Sequence, residues 1–170
     1  MLSSLQQFVP SEICLKCQGC CRFKSMDSPW RPKVGEAEKN VLALRITGNF
    51  TDDQNYIQAI EDCGNHFCRF FNQSDSTCQV YTQRPFECAL YPFILSKSIQ
   101  GIAVYVHLAC PFVQDHQSDE LTRRYINYLQ EFFHLPQTKD FLKRNQRLLH
   151  DYFPFEAELQ FLFTIKDLIL

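Results

Sequence analysis

The sequence is poor in several features that would assign it a familiar chemistry. It has no glycine-rich phosphate loop, no internal repeat and no low-complexity segment, and only 5 of its 170 residues are glycine. No window carries the roughly 18 consecutive apolar residues of a membrane span, so no transmembrane helix is expected. The first ten residues lack a basic region ahead of an apolar stretch and lack a small-residue cleavage pattern. The expectation is therefore a cytoplasmic protein without a signal peptide. Charge of either sign is not in excess: the formal net charge is -2 and the isoelectric point about 6.2. That balance gives no reason to expect nucleic acid or an anionic membrane as partner. The last 60 residues contain no cysteine.

What is present is a folded composition and a concentration of thiols. Hydrophobic residues make up 45% and charged residues 21%, which places the chain outside the disordered class. Sixteen Phe and seven Tyr point to a core built on aromatic rings. At this length one domain, 1–170, is expected, divided into a cysteine-cluster metal-binding region over 14–111 and a helical cap over 112–170. Nine cysteines stand at 14, 17, 20, 21, 63, 68, 78, 88 and 110. In a reducing compartment such clustering indicates metal ligands or redox centres rather than a disulfide framework, and an odd count also fits disulfides poorly.

The densest run is Cys14-Leu-Lys-Cys17-Gln-Gly-Cys20-Cys21. Two residues between sulfurs allow a tight loop to turn thiolates onto one centre. A single such pair is half of a tetrahedral zinc site, whereas three in succession resemble the loop around a four-iron cube. Gly19 is expected to supply backbone angles that other residues adopt at a cost. Cys20 and Cys21 are neighbours whose side chains point apart in an extended chain, so one of them is expected to face a second metal. Lys16, Arg22, Lys24, Arg69 and Arg84 stand close to cysteines and are candidates to donate to sulfur or balance its charge. His66 and His107 are candidate nitrogen ligands.

The second region reads Cys68-Arg-Phe-Phe, then Cys78-Gln-Val-Tyr81-Thr-Gln-Arg84-Pro85-Phe-Glu-Cys88-Ala-Leu-Tyr91-Pro92-Phe93, closed by Cys110-Pro111. With the opening CxxCxxCC, these motifs resemble the YkgJ-type cysteine-cluster family, a zinc- or iron-chelating domain. The resemblance covers residues 14–111. It implies eight metal ligands, Cys14, Cys17, Cys20, Cys21, Cys68, Cys78, Cys88 and Cys110, with Cys63 as a ninth, weaker candidate. Ala89 departs from the family pattern, which often has Arg there. Flagellin lysine N-methylases carry a similar region, so an S-adenosylmethionine-dependent methylase is one alternative function. A zinc-stabilised interaction module is another. The preferred reading is an iron-sulfur cluster protein with a redox, sensing or electron-transfer role and a redox or protein partner; zinc is the alternative metal. The crowding of four sulfurs in the opening motif favours a multinuclear iron centre over a single tetrahedron.

The expected fold class is α+β: a small cysteine-rich region of short strands and loops organised by metal, with flanking helices and a C-terminal helical cap. Helices are predicted over 36–47 and 52–61, the second capped by Thr51 or Asp52. Strands or loops are predicted over 69–71, 78–81, 90–95 and 102–107. Three helices are predicted over 119–133, 138–152 and 155–170, separated at Pro136 and Pro154.

Overall fold

The computed structural model describes residues 5–17 and 19–166. Its helices and small antiparallel sheets make an α+β fold, and its chain divides into two compact units. The first runs from Val9 to Ala89, and the second combines residues 5–8 with the chain from Leu90 onward.

The first unit is assembled from very short elements. Helix α1 (Ser11–Cys17) leads to a 3-10 turn (Gly19–Cys21) and strand β1 (Arg22–Phe23). Helix α2 (Glu36–Ala43) follows, then β2 (Ala59–Asp62), β3 (Asn65–Cys68), β4 (Phe71–Asn72), β5 (Thr77–Cys78), a second 3-10 turn (Tyr81–Gln83) and the single-turn helix α3 (Phe86–Leu90). Strands β1, β3 and β2 form an antiparallel sheet in that order, and β4 pairs with β5. The β2–β3 hairpin turns through Cys63 (φ 50°) and Gly64 (φ 78°). Two consecutive residues with positive φ are what a two-residue turn needs to match the twist of its strands. The apolar core of this unit includes Phe23, Val34, Leu42, Phe50, Ile57, Phe67, Phe70, Phe71 and Val80.

The predicted helix over 36–47 is present but shorter, as α2. The predicted helix over 52–61 is not found. Asp52 does accept backbone N–H bonds, from Gln54 at 2.9 Å and Tyr56 at 3.0 Å, but they close a turn rather than open a helix. Asn55 takes φ 69° within that turn, and Tyr56 and Ile57 then bridge to Lys33 and Thr51. A short acidic side chain that binds its own backbone competes directly with helix, and here it prevails.

The second unit has longer elements: β6 (Phe93–Ser98), β7 (Gly101–His107), α4 (Pro111–His116), α5 (Glu120–His134), α6 (Pro136–Arg144) and β8 (Leu159–Ile165). Strands β6, β7 and β8 form one antiparallel sheet in chain order. Helix α5 buries Thr122, Tyr125, Leu129, Phe132 and Phe133, the three-and-four spacing of a helix with one apolar face. Phe8 packs edge-on to Phe93 and Phe112, with ring centroids 5.2 and 5.3 Å apart. Tyr125 donates its hydroxyl to the Gln6 carbonyl, which ties residues 5–8 to α5. The Tyr91–Pro92 bend is a cis peptide.

Helix α5 matches the expectation over 119–133, and α6 begins at Pro136 but ends at Arg144, ahead of the predicted 152. The helix predicted over 155–170 is corrected: Leu159–Ile165 is a strand, paired with β7 from Leu159↔His107 to Ile165↔Ile102. Leu168 and Ile169, which contributed to the predicted helical face, lie outside the described residues. Among the described residues no helix is long and apolar enough to cross a membrane.

Candidate metal centre

The opening motif is folded mostly as helix and turn, not as the loop its spacing suggested. Cys14 and Cys17 lie three apart on α1 and therefore share a helix face. The chain then tightens into the Gly19–Cys21 turn, which delivers Cys20 and Cys21 directly into β1. Gly19 does not have the left-handed backbone expected of it. A β-carbon there would lie 3.4 Å from Cys17 Sγ, about an ordinary contact. The expectation that Cys20 and Cys21 point apart is also corrected, because it assumed an extended chain. In the 3-10 turn the two thiols hydrogen-bond to each other.

Strand register carries the remaining thiols toward this turn. Arg22 pairs with Phe67, so β1 leaves the turn alongside β3, the strand that ends at Cys68. Phe71 pairs with Cys78, which places the Cys78 thiol on the adjoining hairpin. Cys21 and Cys78 pack against the apolar core, and Cys68 is part of it. Cys88 is carried by α3, two residues into its single turn.

The electrostatics of these groups show that they form one neighbourhood. The Cys68 thiol is pushed up to about 12, chiefly by burial, with Cys78 and Cys20 contributing against a backbone hydrogen bond at Phe70. Burial likewise pushes Cys88 well above its ordinary value, helped by Cys68, Cys20, Cys78 and the carboxyl of Glu87. Cys20 is raised first by its bond with Cys21 and then by burial, with Cys21 and Cys17 adding like charge. Cys14 and Cys78 are raised by burial in the first place and by Cys20 in the second. Cys20 thus touches nearly every other member electrostatically. As a residue Cys20 is exposed.

Positive charge reaches the same place. Arg84 lowers both Cys14 and Cys78, and the Tyr81 side chain hydrogen-bonds Cys14. The Arg84 guanidinium lies 4.3 Å from the centroid of the Tyr81 ring, so a cation–π contact fixes it there. Arg22 instead rests over Phe67 and Phe71, at 5.2 and 6.0 Å.

The structure therefore brings seven of the nine candidate thiols together: Cys14, Cys17, Cys20, Cys21, Cys68, Cys78 and Cys88. Cys63 takes part in none of the thiol interactions just described and is exposed at the tip of the β2–β3 hairpin. Cys110 is buried in the second unit, where it precedes α4 and its N–H donates to the His107 carbonyl at 3.3 Å. His66 lies on β3. The Nδ1 of His107 is 3.1 Å from the Tyr91 hydroxyl, and its Nε2 is 3.6 Å from Glu158. Both ring nitrogens of His107 thus face polar neighbours in their own unit.

By donor chemistry, seven soft sulfur groups with an adjacent guanidinium fit a thiophilic metal such as zinc or iron. Their crowding raises the cost of ionising them without a cation, so metal binding is coupled to proton release. Among the described residues, no three Cys, His, Asp or Glu groups already stand in a metal-holding geometry.

Sequence reasoning missed two carboxyls beside the thiols. Glu38, 4% exposed, accepts the N–H groups of Gly35 at 2.9 Å and of Phe86 at 2.6 Å. Glu87 accepts the Lys33 N–H at 2.7 Å, and burial pushes it up to about 8 although the residue keeps partial exposure. Glu38 had a visible signal, as a glutamate three residues after Gly35 at the start of a helix. Glu87 had none beyond its place next to Cys88.

No curated protein matches the chain, and no solved structure matches it. A family model named for its CxxCxxCC motif, and described as a candidate zinc- or iron-chelating domain, matches residues 13–120. That span is well over half of the chain and takes in the whole of the thiol neighbourhood, so the protein belongs to the CxxCxxCC family of zinc- or iron-chelating domains.

Proposed function

We propose that the protein holds an iron-sulfur cluster through its cysteine thiolates and serves as a redox, sensing or electron-transfer protein in the cytoplasm. The observation that carries this reading is the coupling of seven thiols in one unit around Cys20. One tetrahedral zinc ion uses four ligands, so seven neighbouring sulfurs exceed a single zinc site and suit a multinuclear centre. The proposed ligands are drawn from Cys14, Cys17, Cys20, Cys21, Cys68, Cys78 and Cys88. Cys110 belongs to the set on the family resemblance, and Cys63 stands outside it. When bound, such a cluster supplies one-electron redox chemistry.

The residues around the thiols have separable tasks in this reading. Arg84, held on Tyr81, offsets negative charge near Cys14 and Cys78. Tyr81 donates to Cys14, which draws electron density from that sulfur. Phe23, Phe67, Phe70 and Phe71 form the dry side of the neighbourhood and limit access of water and oxygen.

Protein purified without oxygen from iron-replete cells tests the proposal. It should be brown, bleach on reduction, and contain iron together with acid-labile sulfide. Colourless protein with stoichiometric zinc and no sulfide would replace the iron reading with a zinc one.

A further inference from the structure

The Glu38 and Glu87 carboxyls join pieces of chain that are far apart in sequence, and both bonds end on the segment that carries Cys88. Helix α3 has five residues, too few to stand on its own. Just ahead of it, the Pro85 carbonyl accepts the Ala89 N–H at 2.9 Å. The first N–H groups of any helix lack partners within it, and Phe86 is buried, so its N–H needs an acceptor from elsewhere. Glu38 supplies that acceptor from 48 residues away, at 2.6 Å. Its other oxygen accepts from Gly35, the residue that opens α2. A single carboxyl group thus caps two helices at once, each at the end where negative charge is favourable. Glu87 makes the reverse connection, from α3 to the Lys33 N–H 54 residues away.

Burying two carboxyls is costly, and apolar side chains would fill the space more cheaply if packing were all that was needed. Leu42 on the same helix, with 0% exposure, shows that α2 does use apolar packing where that suffices. The hydrogen bonds give something packing does not, a fixed rotation and height for α3. Cys88 lies two residues from Phe86 and one from Glu87, so neither bond survives if α3 turns enough to withdraw its thiol. Burial raises both carboxyls, and Glu38 is held back from this by the same two N–H groups it accepts.

We propose that Glu38 and Glu87 are positioning residues for the metal centre, a pair of carboxyl clasps that hold α3 so that Cys88 reaches the other thiols. The inference rests on the reading of these cysteines as ligands. Glu38 acts through Phe86 and Glu87 through Lys33, and neither is a ligand itself.

Cobalt(II) added to the metal-free full chain tests it, because thiolate-to-cobalt charge-transfer absorbance per bound cobalt reports the number of sulfurs bound. In Glu38→Ala that intensity should fall, by about a quarter at a cobalt that Cys88 shares with three other sulfurs. Apparent cobalt affinity should fall about tenfold or more. Glu87→Ala should change both in the same direction, and Glu38→Gln, which keeps one acceptor of two, should be intermediate. Leu42→Ala is the control: it lowers stability but should leave the intensity per cobalt unchanged. Unchanged intensity in folded Glu38→Gln and Glu87→Ala, with a normal wild-type spectrum, would overturn the clasp. Equal loss in Leu42→Ala would also overturn it, since a general loosening would then account for the effect. Wild-type protein without charge-transfer bands would instead overturn the ligand reading on which the clasp depends.

Discussion

The two units achieve order by different means. Among the described residues of the first, no strand exceeds four residues and two of the helices have seven residues or fewer, α1 with 7 and α3 with 5. In the second, β6 and β7 have 6 and 7 residues and α5 has 15, with Leu129, Phe133 and Leu142 fully buried. Two- and three-stranded sheets of such short strands are marginal alone, whereas a longer sheet with a helix that has an apolar face has a core of its own. The difference teaches where metal is needed. Thiols collect in the unit whose elements are too short to hold themselves, so a metal bound there is expected to act as a staple.

Removal of the metal is the sharpest way to break this comparison. Chelation should lower hydrogen-exchange protection across residues 14–89 by about a hundredfold or more, given that structural metal contributes roughly 10 kcal/mol in small metal-dependent folds. Protection in α5 and β7 should change little. Equal loss in both units would show that the second depends on the metal as much as the first.

The converse substitution is Phe133→Ala, which removes a fully buried ring from the second unit. It should cost about 3–5 kcal/mol of stability by denaturant unfolding, yet leave the metal content of the folded protein unchanged. A matching loss of metal would join the two units energetically.

A smaller effect follows from Glu87. Its folded pKa of about 8 lies above the ordinary glutamate value of 4.5, so folding favours its protonated form. The stabilisation is complete below the ordinary value and is lost as pH rises toward about 8. The metal-free first unit should therefore melt at a higher temperature near pH ~5 than near pH ~8, and Glu87→Gln should flatten that dependence. A melting temperature that climbs over this interval would contradict the assignment.

The smallest effect is expected at the cysteine that stands apart. Cys63→Ser changes an exposed hairpin tip and should shift stability by no more than about 0.5 kcal/mol, with metal content intact. Cys88→Ser, by contrast, should lower metal content severalfold, because a hydroxyl is a poor substitute for a soft thiolate. If the two variants lose equal metal, the distinction between hairpin tip and cluster is wrong.

Residue spacing alone made part of this legible. The amphipathic pattern of α5 is local, since each apolar residue meets the next within one or two turns, and it was read correctly. The same method failed at 155–165 for a physical reason. Leu159, Phe161, Leu162, Phe163 and Ile165 are so nearly continuous in hydrophobicity that helix and strand periods fit equally. The edge of β7, whose backbone groups need partners, settled the matter in favour of a strand. At 52–61 the apolar spacing was compatible with helix, but Asp52 could satisfy nearby N–H groups in a turn.

For the site, the sequence by itself determined the chemistry: clustered thiols at CxxCxxCC spacing, with Tyr81 and Arg84 ahead of Cys88, select a thiophilic metal whatever the backbone does. Only the tertiary structure decided the company each thiol keeps. The 3-10 turn joined Cys20 to Cys21, strand register brought Cys68 and Cys78 toward them, and Cys63 was left on a hairpin tip. It also decided that Glu38 and Glu87 meet N–H groups 48 and 54 residues away. Ligand type is a property of one side chain, and spacing is a property of a short run of chain. Proximity across such separations depends on how the rest of the chain packs, which no local pattern encodes.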